Sequence, residues 1–583
     1  MQEHAQKEEE FDIKKIFAPF TTTKAIHWIV IIGLIVYANM LFNGFVWDDL
    51  TYIINNPTIH SFNIVSILNS FKESLFNSGG EYRPITAIYF LITYAFFGNS
   101  PFFYHFIQLS LHIVNTILIF ILFAKFFSRK ISLFLSVIFL IHPMQVEAIS
   151  YIASTGNPLF FLFGIIALLI GISNNVDTQR QIVIFCLLLL SLFARETGIL
   201  FLLLIIFYRI LFNKKQTVSF LIFSLITLSI YLFARIVIGG IYLTKLDLVL
   251  IARLSLLGRL INIPAIFFYY IKTFFIPITL SVDQQWIVQK INYPDFYFPL
   301  LIDLLFLVAI GILGIYISKK RKEMLRVFLF FSVWFLTGVA FHLQIVPLDF
   351  TVSDRWFYFP MVGLLGIIAI VIQLVGGNYK KVKIAAYIGA IIIVLLFSFR
   401  TIVRNTNWQN QLTLFTHDIT LQDNFDSENN LGSAYTQIGD AKKALIHYEK
   451  SVSLLPNDTN LFNLGYTYQQ LNNLSEAKKY YVMVVENRNS HSTIKSYAFQ
   501  ALGFMYINSN PKLAKEYSLM GLQEYPNNGS LYSILAISEY RFHDRADALI
   551  AAEKAKVFLP NEETYDLYLL ILNNKPLHVT DNH

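Results

Sequence analysis

The sequence predicts an all-α protein in two parts: a bundle of about eleven membrane-crossing helices, then a solenoid of repeated helix pairs. Three observations predict it. Of the 583 residues 55% are apolar and only 14% charged, with mean hydropathy +0.54, whereas ordinary globular chains are about a quarter charged. Up to about residue 400 the apolar residues form long runs separated by short polar or basic loops. Where the runs stop, a repeat with a period of about 33–38 residues begins.

The remaining composition narrows the class further. The net charge is +7 and the pI about 9.0, but the basic residues lie in short loops between apolar runs, where the positive-inside rule puts them. That distribution argues against a nucleic-acid partner. The single cysteine, Cys186, sits in an apolar run, so no disulfide framework is available and the redox compartment is not indicated.

Residues 1–24 read as a cytoplasmic tail. They mix Lys with Glu, and the apolar stretch behind them has no small-residue cleavage site, so it reads as a first span rather than a removed signal. Runs long enough to cross about 30 Å of hydrocarbon place spans at 25–43, 103–124, 131–149, 157–173, 181–195, 197–212, 217–239, 297–318, 325–345, 355–377 and 382–400. Lys125, Arg129 and Lys130 mark one cytoplasmic loop, Lys214 and Lys215 a second, Lys319, Lys320, Arg321 and Lys322 a third, and Lys380, Lys381 and Lys383 a fourth. These assignments agree only if the apolar stretch 258–278 does not cross. Its Pro264 and Pro277 and its Phe267, Phe268, Tyr269 and Tyr270 suit an interfacial or re-entrant helix within an external loop of about 240–296. The other long external loop is 44–102, and an odd span count leaves the C-terminal half outside the cytoplasm.

After a linker at 401–424, residues 425–562 repeat. Leu431, Gly432, Tyr435, Ala444, Tyr448 and Pro456 set a template that Leu464, Gly465, Tyr468, Ala477 and Tyr481 follow. Leu502, Gly503, Tyr506, Ala514 and Pro526 repeat it with one residue missing, and Leu535, Ala536, Ala548, Ala555 and Pro560 make a weaker fourth copy. This is the tetratricopeptide (TPR) template: small residues where two helices approach, Tyr and Leu in the groove between them, Pro after the second helix. Such arrays present a concave surface to a partner; scaffolding an oligomer is the other reading. A tail, 563–583, follows. Asn457-Asp458-Thr459, Asn473-Leu474-Ser475 and Asn528-Gly529-Ser530 fit the N-glycosylation pattern, which an Asn-rich chain shows by chance and which matters only in a eukaryotic lumen.

Polar residues at the ends of spans supply candidate chemistry. Asp48 and Asp49 follow the first span, with Gly44 placed to cap it. As adjacent residues they do not share a helix face, so one acid can face a cavity while the other takes a structural partner; a solvated loop pair is the plain alternative. His105, Gln108, His112 and Asn115 fall on one stripe of the second span, suited to interhelical hydrogen bonds or to a cavity wall. Two His seven apart do not make the usual helical metal pair. HPMQVEA supplies His142 and Glu147, ARETG supplies Arg195 and Glu196, and SDRWFYFP supplies Asp354 and Arg355. The threading sends Asp48, Arg83, Glu147, Arg195 and Arg355 to the external side, where acids for proton transfer and arginines for phosphate would serve transfer from a lipid-phosphate sugar.

In order, WDD, EYRPIT, YHFIQLSLHIVN, HPMQVEAISYIAS, ARETG and DRWFYFP, with the TPR tail, resemble the TMTC-type O-mannosyltransferases and their bacterial TPR-bearing relatives, of the GT-C glycosyltransferase class, over about 25–560. The resemblance implies a GT-C-like bundle and transfer of a sugar, mannose in the namesakes, from a polyprenyl- or dolichyl-phosphate donor to a protein or glycan on the extracytoplasmic face. It places the catalytic carboxylate at Asp48 or Asp49, in an inverting displacement, and matches Arg83 and Arg355 to positions for a cation on the leaving phosphate. Glu147, His142, His105, His112, Arg195 and Glu196 are then residues lining the site. No cofactor is required; a divalent metal on Asp48 and Asp49 is compatible, but no ligand spacing demands one. Ser154-Thr155-Gly156-Asn157 stand where the family has Arg and an acid, and Arg195 where Lys is frequent, which puts the donor contacts and the sugar in question.

Two functions remain in view. One is a membrane glycosyltransferase whose TPR array binds the acceptor or a partner. The other is a non-catalytic, membrane-anchored TPR adaptor in a cell-envelope assembly. The span pattern has no internal repeat of the kind common in transporters. The Ile-, Lys- and Asn-rich composition points to an AT-rich bacterial genome, hence to a bacterial inner membrane rather than the endoplasmic reticulum.

Overall fold

The computed structural model describes residues 21–74, 80–173, 176–242, 249–375, 380–487 and 493–577. Among them every regular element is helical. The chain forms two compact units, Met1–His417 and Asp418–His583.

Among the described residues of the first unit, seven helices are long and apolar enough to cross a membrane: Pro101–Phe123, Ile152–Gly171, Thr217–Ile238, Tyr293–Lys320, Lys322–Ala340, Asp354–Val375 and Ile384–Asn407. The expected count of eleven is not confirmed, because the other four expected spans are shorter helices. The run 25–43 is a helix only over Thr22–Val36, capped by Tyr37 and followed by a 3-10 turn, Ala38–Phe42; Gly44 caps nothing and donates its N–H to the Gln409 carbonyl. The run 131–149 breaks at His142-Pro143. Pro143 has no N–H to continue the ladder and drives the preceding residue extended, and His142 sits at ψ 128° between the helices Arg129–Ile141 and Gln145–Ser150. The runs 181–195 and 197–212 become Thr178–Ala194 and Ile199–Phe212, joined by an elbow at Arg195–Gly198.

Three further stretches take the following form. The loop 44–102 contains the helix Pro84–Phe97, begun by proline at its first position and tied to its neighbour by Thr86 Oγ1 donating to the Ala194 carbonyl at 2.8 Å. The stretch 258–278 is the helix Leu256–Phe275, which is not among the seven. The linker 401–424 is largely helical: one helix runs on to Asn407 and another covers Gln411–Ile419. Thr401, Arg404, Asn405 and Trp408 are buried there, and Thr401 Oγ1 donates to the Ile141 carbonyl. Of the N-terminal tail, residues 1–20 lie outside the described residues, as do the side chains of Lys380, Lys381 and Lys383.

Close helix approach in this unit rests on glycine. A Cβ on Gly363 would stand 2.3 Å from the backbone nitrogen of Phe335, and one on Gly164 only 2.0 Å from the Phe201 ring. Small residues allow such contact between membrane helices.

The second unit is a solenoid of four helix pairs, Phe425–Gln437 with Ala441–Leu454, Asp458–Gln470 with Leu474–Val485, Thr493–Tyr506 with Pro511–Glu524, and Gly529–Arg541 with Arg545–Phe558. In the first two pairs Gly432 and Gly465 lie against the rings of Tyr448 and Tyr481, at 2.7 and 2.9 Å from where a Cβ would be. In the third and fourth, buried Ser518 and Ala552 take the tyrosine position, so those copies lack that ring. The expected tail begins with a ninth helix, Glu562–Leu572, whose last carbonyls accept from the Arg545 guanidinium. Asn457, Asn473 and Asn528, the three sequon residues, are all helix N-caps. Asn is among the strongest N-caps, and that local role accounts for those strings.

Candidate active site

The acid pair sits on a loop pinned to a distant helix. Gly44 N–H donates to the Gln409 carbonyl at 2.9 Å, and Asn43 Nδ2 to the Asn405 carbonyl at 3.0 Å. Trp47 then adopts φ +55°, a left-handed conformation that costs a bulky residue about 1–3 kcal/mol and persists only where packing enforces it. Its ring stacks on Tyr151 at 5.1 Å and meets Phe350 and Phe415 edge-on.

The loop divides the two carboxylates. Asp49 is buried and caged: its oxygens accept from Val46 N–H at 3.0 Å and Ala153 N–H at 2.7 Å. Burial pushes its carboxyl up to about 8 against those backbone donors. Asp48 is half-buried, and its Oδ2 accepts from the Tyr151 hydroxyl at 2.5 Å. Burial raises Asp48 too, opposed by the Tyr151 hydroxyl and by the charge of Arg355.

Arg355 reaches this point from the break that opens the Asp354–Val375 segment. Its Nη1 meets Glu147 Oε1 at 2.8 Å and its Nη2 meets Asp349 at 3.4 Å, with the guanidinium over the Tyr151 and Phe350 rings. Glu147, 2% exposed, also accepts from Ser353 Oγ at 2.7 Å and from the Arg355 backbone N–H at 3.2 Å. The His142-Pro143 break makes this possible, since it carries Glu147 onto a short buried helix. Asp354 accepts from the Tyr269 hydroxyl at 2.7 Å.

A second set of charges gathers on the elbow Arg195–Gly198. Glu196 takes Arg83 Nε at 3.1 Å, Arg235 Nη1 at 3.3 Å and the Tyr82 N–H at 3.3 Å. Arg83 also pairs with Glu81 at 2.8 Å. Despite burial, Arg83 is held above its usual range by Glu196 and Glu81, and Glu196 is held down by Arg83. Burial pushes Glu81 up to about 7 against the pull of Arg83. The two sets act on one another: Tyr52 feels Asp48, Glu81, Arg83 and Asp349, and Arg195 is repelled by both Arg83 and Arg355.

The structure thus brings Asp48, Arg83, Glu147, Arg195, Glu196 and Arg355 into one electrostatic neighbourhood, with Asp49 as a buried support. The three histidines are packed inside the bundle instead. His112 bonds to the Tyr358 hydroxyl and the Leu140 carbonyl, each at 3.0 Å, and His142 to the Phe274 carbonyl at 2.9 Å. His105 is fully buried. Among the described residues no hydrogen bond or ion pair joins them to the acids or arginines, and no group of three His, Cys, Asp or Glu is disposed to hold a metal ion. Sequence reading missed Tyr151, Asp349, Glu81 and Arg235. Tyr151 and Glu81 lay within the quoted HPMQVEAISYIAS and EYRPIT strings; Asp349 and Arg235, the latter inside the span 217–239, stood in no quoted motif.

The comparisons with known proteins agree with the two-part reading. The tetratricopeptide repeat family profile matches residues 429–458 and 459–491. The protein O-mannosyl-transferase F38B6.6 of Caenorhabditis elegans is 23% identical over 458 residues, covering 74% of this chain and 62% of that protein. The protein O-mannosyl-transferase TMTC3 of Homo sapiens is 23% identical over 505 residues, covering 78% and 54%. The resemblance to TMTC-type proteins therefore holds over about three quarters of the chain, which spans 54–62% of the length of these two relatives. Among solved structures, the APC/C hetero-tetramer Cut9-Hcn1 aligns at TM-score 0.26 and 14% identity over 76% of this chain and 77% of that one, too low a score to carry an argument.

Proposed function

We propose that the chain is a GT-C-type membrane glycosyltransferase that moves a sugar, mannose by analogy with the named relatives, from a polyprenyl- or dolichyl-phosphate donor to a hydroxyl on a protein or glycan. The observation that carries this is the state of Asp48: a half-buried carboxylate, bonded to Tyr151, among arginines that are themselves held in place by carboxylates.

In the proposed displacement the acceptor hydroxyl attacks the anomeric carbon, the carbon–oxygen bond to the donor phosphate breaks, and the hydroxyl proton passes to Asp48. Asp48 is the general base. Tyr151 orients it, and Asp49 fixes the loop beneath it. Negative charge develops on the leaving lipid phosphate, and preorganised cations stabilise such charge strongly in a water-poor site. These protein charges suffice for the step, so activity persisting in EDTA is the expected result. The TPR unit binds the acceptor or a partner. The loop charges support an extracytoplasmic site and an extracytoplasmic TPR unit, which a topology reporter fused behind the TPR unit tests.

The deciding experiment is Asp48→Asn in purified, lipid-reconstituted protein. Loss of transfer with unchanged thermal stability and donor binding is expected. Full transfer by Asp48→Asn would remove Asp48 as the base, whereas absence of transfer by wild type would leave the membrane-anchored adaptor as the reading.

A further inference from the structure

The arginines of the site are not equivalent, and their partners divide them. Arg355 is bound by Glu147 and Asp349 and lies over two rings. Arg83 is bound by Glu81 and Glu196. Arg235 is bound by Glu196, by the Gly80 carbonyl and by the Tyr231 hydroxyl. For any of these three to take up an anion, carboxylates already on the guanidinium would have to be displaced or would repel the newcomer.

Arg195 differs. Its Nε donates to a neutral group, Thr197 Oγ1, at 3.3 Å. Among the described residues it has no carboxylate within ion-pair distance, and its two terminal nitrogens make no hydrogen bond. The residue is half-buried. Its position is set by backbone rather than by a counter-charge. It stands extended at φ −162°, ψ 143° in the elbow between two helices and donates its own N–H to the Ser191 carbonyl at 3.0 Å. Gly198 closes the elbow so tightly that a Cβ there would come within 2.7 Å of the Ser191 backbone. A guanidinium offers five donors in a planar fork matched to phosphate oxygens. Burial and repulsion by Arg83 and Arg355 push Arg195 downward against the weaker pull of Glu196 and Glu81, a direction that an anion on the guanidinium would reverse.

We infer that Arg195 is the ligand of the donor phosphate, and that Arg83 and Arg355, the cations matched to that role by resemblance, are positioning residues locked in carboxylate pairs. The assignment rests on the glycosyltransferase reading. A lipid-linked sugar phosphate carries one negative charge at the group that Arg195 would hold, so a single unpaired guanidinium suffices. Free phosphate shares this chemistry, and the experiment distinguishes the two sources.

The test uses the full chain in lipid nanodiscs, with Arg195→Met, Arg195→Gln and Arg195→Lys beside wild type. Read out are KM for a polyprenyl-phosphate sugar, KM for the acceptor, and competition by sugar-free polyprenyl phosphate and by inorganic phosphate. A charge-assisted hydrogen-bonded contact corresponds to a roughly 10- to 100-fold change. The Met and Gln variants should therefore raise donor KM by about that factor, with acceptor KM unchanged and competition by polyprenyl phosphate weakened in parallel. Lys, a point charge without the fork, should fall between. Inorganic phosphate should compete far more weakly than the lipid phosphate in wild type. Donor KM and lipid-phosphate competition at wild-type values in both neutral variants, with transfer intact, would overturn the Arg195 assignment alone. Equal potency of inorganic and lipid phosphate in wild type would overturn it as a donor subsite. Absence of transfer by wild type would bring down the functional reading and this inference together.

Discussion

Replacing Tyr151 by Phe isolates one contact. The Tyr151 hydroxyl donates to Asp48 Oδ2 at 2.5 Å, and it opposes the rise that burial imposes on Asp48. Phe keeps the ring against Trp47, Trp408 and Arg355 and removes only the donor. A hydrogen bond to a charged group contributes about 1.5–3 kcal/mol, and one pKa unit corresponds to about 1.4 kcal/mol. The Asp48 carboxyl should therefore rise by about 1–2 units. The sign is fixed by the proposed role: a general base acts as the carboxylate, so activity climbs with pH through the Asp48 titration. The acidic limb of kcat/KM against pH should move about 1–2 units upward, with a plateau still reached at alkaline pH. Initial rates of transfer from a lipid-phosphate sugar across the pH range, for wild type and Tyr151→Phe, measure the displacement. Superimposable acidic limbs would refute Asp48 as the base, and a uniform loss at every pH would show that Tyr151 serves orientation alone.

Glu147→Ala leaves Arg355 with Asp349 only and should lower stability by about 3–5 kcal/mol, the usual result of breaking a buried pair from one side; thermal unfolding in detergent measures it. Asp49→Ala strands the N–H groups of Val46 and Ala153 and should lower stability by about 2–4 kcal/mol, whereas Asp48→Asn should leave the unfolding midpoint in place. Gly363→Ala drives a Cβ into the backbone of Phe335, where no flexible atom can give, and should cost at least about 1–3 kcal/mol, while Gly389→Ala, with open space around it, should be neutral or slightly stabilising in the same assay. In the TPR unit Gly465→Ala meets the Tyr481 ring and the Ala477 carbonyl; cooperative loss of helix in thermal circular dichroism should come earlier than in wild type.

What the sequence determined by itself was the class of each half and the order of its motifs. Apolar runs and a repeat of about 33–38 residues are one-dimensional records, and they are read without knowing any partner. Leu431, Gly432 and Tyr448 announce a helix pair because the residues that pack against one another lie within one repeat. The same records mislead where an apolar run continues through a break: 131–149 reads as one span, yet Pro143 ends its helix and sends Glu147 into the site. The four expected spans outside the seven long apolar helices are shorter helices, so the count of eleven is not confirmed.

The tertiary structure alone decided which charge does what. Asp48 and Asp49 are neighbours with the same side chain, and no local pattern separates them. They part only because Ala153, about a hundred positions away, offers its N–H to one and Tyr151 its hydroxyl to the other. Arg83, Arg195 and Arg355 are likewise alike in sequence. Glu147 claims Arg355 across 208 positions and Glu196 claims Arg83 across 113, while among the described residues Arg195 has no carboxylate at ion-pair distance. A charge acts through distance, burial and the identity of its nearest opposite, and those are fixed only when the chain has folded.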